Sequence, residues 1–380
     1  MPRPRMTLIA MCALALLTAS IYGGIALYSS ETSPLFASSS GQSVTLNGAG
    51  ATLSYPLLSN IALSYTKIHP NAYVNYQPIG SIAGINAHIA KTVDFGATYP
   101  PLTDAQAILA PNTLHIPESI SAVVLGYNIK DPLTRQPIST GLRLNGTTVA
   151  EIFLGNITTW NDPNITALNP GLNLPDSPIQ TIHDTLAEGG TFVFTSYLSF
   201  VSSDFRTHVG NGTIVPWTVG LQVPGNAGIT SLVNGTPGSI GYIELAYALL
   251  SHVPYASIQN ASGKFIQPSL ESARAADDQL TTVLPAGKGR WSNITLLNEP
   301  GPSAYPIVTF TYIIVYQDLS VIRSMDLNKA KVLADYLWYM VHDGQSFAPA
   351  LAYVPLPANI VSIDESSIKS MTFKGTPLIS

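Results

Sequence analysis

Beyond residue 43 the chain alternates short apolar runs with stretches of helical period. Residues 44–47 read as a strand and Gly48-Ala49-Gly50-Ala51-Thr52 as a glycine turn. Leu53, Leu57, Ile61, Tyr65 and Ile68 then keep one helical face up to a His69-Pro70 stop. A strand over 73–77, a Gly80-Ser81 turn opening a helix through Ile85 and Ile89, and a strand over 93–97 repeat the unit, which ends at Thr98-Tyr99-Pro100-Pro101. This succession predicts an α/β fold. Its side-by-side strands would gather helix N-termini at one edge, and ligands of such sheets bind beyond the carboxyl ends of the strands.

A long apolar strand over 119–127 reads as the passage into a second domain. A short helix over 148–154 and a turn-rich stretch over 163–178 follow. Gly189-Gly190-Thr191 then opens a helix whose Phe194, Tyr197 and Leu198 share a face. The free N–H groups of such a helix start suit an anion, although most Gly-Gly-Thr turns before helices bind nothing and an ordinary N-cap is the commoner reading of these residues. Next come a strand over 239–242, helices over 243–250 and 269–283, and a second long strand over 307–316 that returns to the first domain. A closing amphipathic helix over 327–340 carries Ala330, Leu333, Tyr336 and Leu337 on one face.

Composition narrows the partners. The 380 residues are 46% hydrophobic, enough for two ordinary domains with real cores. Only 10% are charged, against roughly 25% in average proteins. The net charge of -5 removes nucleic acid as a partner. The single cysteine, Cys12, lies in the N-terminal apolar run, so no disulfide or thiolate chemistry serves the rest. Arg3 and Arg5 precede an uncharged run over 6–27, long enough to cross a bilayer, with the positive flank inside and everything after it outside. A retained anchor is the preferred reading of residues 1–28 and a cleaved signal peptide the alternative. Residues 29–43 form a Ser-rich stalk.

Seven Asn-x-Ser/Thr sequons, at Asn145, Asn156, Asn164, Asn211, Asn234, Asn260 and Asn293, suggest a glycosylated exterior. The seven histidines show no metal-ligand spacing, and neither HExxH nor GxSxG occurs. No enzyme activity, cofactor or metal is expected.

Six segments, in order, resemble the phosphate-binding subunit of the phosphate ABC transporter: LNGAGATLSYPL (46–57), VNYQPIGSIAGI (74–85), KTVDFGATYPPLTDAQ (91–106), AEIFLGNITTWNDPNITALNPGL (150–172), GGTFVFTSYL (189–198) and PGSIGYIELAYA (237–248). The resemblance implies an α/β, two-lobed periplasmic-binding-protein-like fold with two crossover strands and an oxyanion cleft. Lobe I would be 44–122 plus 306–380, and lobe II 123–305. It implies an extracytoplasmic receptor that passes phosphate or a related oxyanion to permease subunits in the membrane. By position, Ala51, Thr52 and Leu53 match the first phosphate loop, Ser81 the donor serine, and Gly189, Gly190 and Thr191 the donor turn of the second lobe.

Three positions depart from the family's pattern. Tyr99 stands at the acidic residue that accepts the proton of hydrogen phosphate, Asp184 (with His183 before it) at the anion-clamping arginine, and Glu188 at a serine. Arginine's rigid fork has no replacement nearby. A neutral or cationic solute, or a structural or adhesive cell-surface role, are the alternatives. In an acidic medium His183 would be cationic, Asp184 and Glu188 would lose charge, and Tyr99 would meet singly charged phosphate.

Overall fold

The computed structural model describes residues 43–280 and 282–379. The expected anchor or signal segment, and the stalk through residue 42, lie outside the described residues. Among those described, no helix is long and apolar enough to cross a membrane.

The first half of the chain builds β1 (Val44–Gly50), α1 (Tyr55–Ile68), β2 (Ala72–Pro78), α2 (Ser81–Ile89), β3 (Phe95–Thr98), α3 (Asp104–Leu109) and β4 (Thr113–Asn128). After β5 (Arg143–Leu144), α4 (Gly146–Leu154) and α5 (Pro163–Thr166) come β6 (Gln180–Asp184), α6 (Gly189–Val201), α7 (Ser203–His208), β7 (Leu221–Val223), α8 (Gly225–Gly235), β8 (Ser239–Glu244) and α9 (Leu245–Leu250). The remainder is β9 (Ser257–Gln259), β10 (Phe265–Ile266), α10 (Leu270–Asp277), β11 (Val308–Tyr316), α11 (Leu327–Val341), α12 (Ala358–Lys369), and the hairpin β12 (Thr372–Phe373) and β13 (Thr376–Pro377).

Local chemistry sets several boundaries. Thr103 and Gln106 form a reciprocal capping box at the start of α3. Asn145 caps α4, which stops at left-handed Gly155. Asp326 accepts the Lys329 N–H at 2.7 Å to open α11.

Among the described residues an eight-stranded sheet runs β2-β1-β3-β11-β4-β8-β6-β7. Strands β1, β2 and β3 are parallel, as are β6, β7 and β8, while β11 and β4 run antiparallel between the two groups. β4 is shared: Thr113–Ala122 pair with β11, and Val123–Asn128 pair with β8. The fold is therefore a two-lobed one with β4 and β11 crossing at its middle. On one side Leu333, Tyr336, Leu337 and Met340 of α11 are buried with Tyr65 and Phe95. On the other Phe153, Phe194, Trp217 and Tyr242 pack ring on ring.

Several elements differ from the pattern-based expectation. β1 runs through Gly48 to Gly50 instead of turning at Gly48, because the small residues 48–50 let β3 pair alongside under the Phe95 ring. β4 begins at Thr113, six residues before the apolar run, and its ladder with β11 skips Glu118 at a bulge beside Pro117. α10 ends at Asp277 rather than at 283, since its buried side is only Ser272, Ala273 and Ala276, and Val283 is 90% exposed. Asn260 is buried, and its side-chain amide donates to the Gly301 and Ala304 carbonyls, so that sequon is closed in the folded chain.

Candidate ligand site

The site begins with a close approach of backbones at the carboxyl ends of β1, β2 and β3. Gly50 has φ +148°, and a Cβ there would strike the Ala97 carbonyl. The Gly50 carbonyl accepts the N–H groups of Ile79 and Gly80, both at 2.9 Å, and Ala51 N–H donates to Ala97 at 2.9 Å. These bonds tie the loop after β1 to the loop after β2 and set Thr52 beside Ser81, the first residue of α2.

Glu188, fully buried, enters this arrangement from the N-terminus of α6. Its Oε1 accepts the Thr52 N–H at 2.7 Å and the Thr52 hydroxyl at 2.6 Å. Its Oε2 accepts the Ser81 N–H at 2.6 Å and the Gly189 N–H at 3.3 Å. The Gly189 N–H also reaches Ser81 Oγ at 3.3 Å. Every donor is neutral. Two of them open the helices α2 and α6, whose unpaired N–H groups and positive dipole ends face the carboxylate. A cradle of this kind holds oxyanion oxygens without any lysine or arginine.

Thr52, Ser81, Glu188 and Gly189 thus meet. Tyr99 is adjacent: a Cβ at Gly189 would run into its ring, and its hydroxyl is buried with no partner. Burial holds that phenol well above its usual range. Tyr99 also lines a cavity of about 400 Å³ walled by Phe192, Val308 and Phe310, while Thr52 lines a separate groove of about 570 Å³ with Tyr55, Asn226 and Tyr247. Ala51 and Leu53 are fully buried and turn their carbonyls to the Tyr76 and Tyr353 hydroxyls.

The other expected residues have different partners. His183 stacks on Trp217 with ring centroids 4.1 Å apart, and its Nε2 donates to the Val219 carbonyl at 2.7 Å. Burial lowers its pKa to about 4, so the cation expected in an acidic medium forms only below that pH, and its ring faces Trp217 and the Val219 carbonyl. Asp184 Oδ1 accepts the Leu186 and Gly225 N–H groups, both at 2.8 Å, and closes a turn. Burial raises its pKa to about 6. Thr191 bonds the Tyr242 hydroxyl at 2.8 Å, and a Cβ at Gly190 would meet nothing within 4 Å.

Two residues that pattern reading passed over complete the surroundings. Asn226 donates to Thr52 Oγ1 at 3.3 Å and accepts the Glu244 N–H at 2.8 Å. The Tyr247 hydroxyl donates to the Thr52 carbonyl at 3.0 Å. Tyr247 lies inside the quoted 237–248 segment, which was the available signal; Asn226 sits in an unremarkable Gly-Asn-Ala-Gly start of α8.

Two parallel half-sheets bridged by β4 and β11, with helix N-termini converging on a buried carboxylate, define a two-lobed solute-binding protein. The family model described as a PBP superfamily domain matches residues 37–343. Phosphate-binding protein PstS of Xylella fastidiosa (strain 9a5c) is 39% identical over 326 residues, 84% of this chain and 84% of that protein. The protein of the same name from Haemophilus influenzae is 39% identical over 332 residues, 87% of this chain and 94% of that one. The chain belongs to this PstS family within the PBP superfamily. Among solved structures, a high-affinity periplasmic phosphate-binding protein (PfluDING) bound with phosphate superposes with a TM-score of 0.64 at 16% identity, covering 86% of this chain and 99% of that one. A phosphate-binding protein from Stenotrophomonas maltophilia gives 0.63 at 15% identity, covering 87% and 99%. At these identities the structures speak for the fold alone.

Proposed function

We propose that this chain is the extracytoplasmic solute-binding protein of an ABC importer, taking inorganic phosphate into the interlobe cleft and passing it to the permease. The observation that carries the reading is the convergence of the Thr52 N–H and hydroxyl and the Ser81 N–H on the two oxygens of one buried carboxylate. Three short bonds from neutral donors to an anion are what an oxyanion receptor needs, and the names of the relatives supply phosphate as the anion. With no guanidinium in the cradle, the singly charged, doubly protonated phosphate is the better ligand, and the Tyr99 hydroxyl is free to donate to it or accept from it. The protein binds and releases; it is not an enzyme.

The lobes in this reading are 44–122 with 306–380, and 123–305, hinged where β4 changes partner between Ala122 and Val123. The apolar run over 6–27 holds the chain on the outer face of the membrane, and the exposed sequon asparagines, Asn156, Asn164, Asn211, Asn234 and Asn293, carry glycans. Calorimetric titration of the purified chain with phosphate from about pH 2 to 8 tests the ligand. Binding that strengthens towards acid supports the reading. Binding strongest at neutral pH removes the preference for the singly charged ion, and absence of binding at every pH removes phosphate.

A further inference from the structure

We propose that Glu188 is a tethered competitor of the free oxyanion. Its carboxylate takes the anion's place in the cradle and latches the two halves of the cleft together, so that a ligand enters only by displacing it. The inference deepens the oxyanion reading and rests on it for the identity of the ligand.

The geometry carries the argument. Glu188 leaves the β6–α6 connection on one side of the sheet's midpoint, and its partners Thr52 and Ser81 follow β1 and β2 on the other. Oε1 draws both donors of Thr52 and Oε2 draws Ser81 and Gly189, so the donors that would hold a free anion are already engaged by the chain itself. The Ile82 N–H to Ala187 carbonyl bond at 3.2 Å and the Tyr247 hydroxyl to Thr52 carbonyl bond at 3.0 Å close the same seam. None of Thr52, Ser81 or Glu188 is more than 7% exposed.

An ordinary helix-capping carboxylate bonds within its own helix. Here three of the four bonds, and the three shortest, cross to residues more than a hundred positions away. A tethered group competes at a high effective concentration, which lowers the apparent affinity of any free anion for the same donors. A carboxylate nevertheless brings two oxygens where a tetrahedral oxyanion brings four. The Tyr99 hydroxyl, which Glu188 leaves without a partner, gives the incoming anion a bond the latch does not make.

The test compares the parent chain with Glu188→Ala, and with Glu188→Gln, which keeps the shape but turns one oxygen into an N–H₂ facing an N–H. Far-UV circular dichroism establishes that each variant is folded. Small-angle scattering without and with inorganic phosphate reads the opening, and calorimetry reads the affinity. We expect Glu188→Ala to be more extended than the parent without phosphate, to contract when phosphate is added, and to bind phosphate at least about tenfold more tightly. Glu188→Gln should move the same way by less, and it stands in should the alanine variant not fold. A variant as compact as the parent without phosphate, or one that binds phosphate no more tightly than a parent that does bind, overturns the latch. If neither chain binds phosphate but the variant opens, the latch stands and phosphate as the ligand falls.

Discussion

Glu188 and Glu118 are both fully buried carboxylates, and the protein treats them in opposite ways. Glu188 is held by four neutral donors and lies against two helix N-termini. Glu118, at the bulge of β4, has only the Ser54 and Thr311 hydroxyls close by and no well-formed hydrogen bond to either oxygen, and burial outweighs them and pushes its pKa up to about 7. Glu244 has donors, with Ser121 and the Ala246 N–H each donating to it at 2.8 Å, yet burial outweighs them and pushes it up to about 8. The interior has two solutions for a carboxylate. Several convergent N–H groups can solvate a charge in place of water, while a buried pocket with few donors favours the protonated acid. Only the first can bind an anion, and the cradle is built from it.

The largest expected effect is on stability against pH. The folded pKa values of Glu118 and Glu244 lie above their unfolded values, so their contribution is complete below about pH 4 and is lost as pH rises through about 7 and 8. His88, His115 and His183 work the other way. Burial lowers them to about 3, 4 and 4, so their contribution is present above about pH 6.5 and lost as pH falls through those values. Between about pH 6.5 and 8.5 the histidines are neutral in both states. Unfolding free energy should fall there by about 2–3 kcal/mol from Glu118 and Glu244, at about 1.4 kcal/mol per pH unit for each until its folded pKa is passed, with buried Asp364 adding to the same fall. Urea melts across that range check it. A flat profile would mean that Glu118 and Glu244 find solvation on ionising, and the contrast with Glu188 would collapse.

Next in size is Thr52→Val, which keeps the shape and removes the hydroxyl donated to Glu188. Loss of one buried hydrogen bond to a charged acceptor should lower stability by about 1.5–3 kcal/mol at about pH 5.5. Asn226 loses its acceptor in the same change. A loss below about 0.5 kcal/mol would place the weight of the cradle on its backbone N–H groups alone.

How much of this was legible in the sequence follows from what each signal measures. Periodicity found β2, α2, β11 and α11 within a residue or two, because their burial repeats with the element's own period. It missed β6 and α8, which a run of polar residues and a glycine-rich start conceal. The resemblance placed Thr52, Ser81 and Gly189 at the site but gave the side chains of His183 and Asp184 no direction. Alternation along β6 and the cap onto Gly225 turn both away. That Glu188 fills the cradle was written in no pattern. It depends on the reach of one side chain across the seam, which only the fold brings within bonding distance.

Glu118→Gln should have little effect in acid, and one that grows as pH rises. Glutamine matches the shape and neutrality of the protonated acid, so at about pH 5 the variant should lie within about 1 kcal/mol of the parent. The parent loses about 1.4 kcal/mol per pH unit from the unfolded pKa up to the folded pKa of about 7, so between pH 5 and pH 8 the variant should gain about 2–3 kcal/mol on it. Equal stabilities at both pH values would show that Glu118 is not the group that titrates. Stability curves for the two proteins, collected side by side, decide it.

The smallest effect should come from Gly190→Ala, and it separates two adjacent glycines of the same cradle. Gly189 is constrained by contact, since a Cβ there enters the Tyr99 ring and would push the Glu188 turn off its donors. Gly190 is in the first turn of α6 without positive φ, and a Cβ there meets nothing within 4 Å. Alanine is the better helix former and narrows the unfolded ensemble, so the variant should gain about 0.4–1 kcal/mol. Its N–H donates to none of the cradle oxygens, so phosphate affinity should stay within about twofold of the parent, a difference of about 0.4 kcal/mol. A clear loss of affinity with stability kept would mean that the anion draws on the second N–H of α6, which Glu188 does not reach. The free ligand would then sit deeper in the turn than the carboxylate that stands in for it.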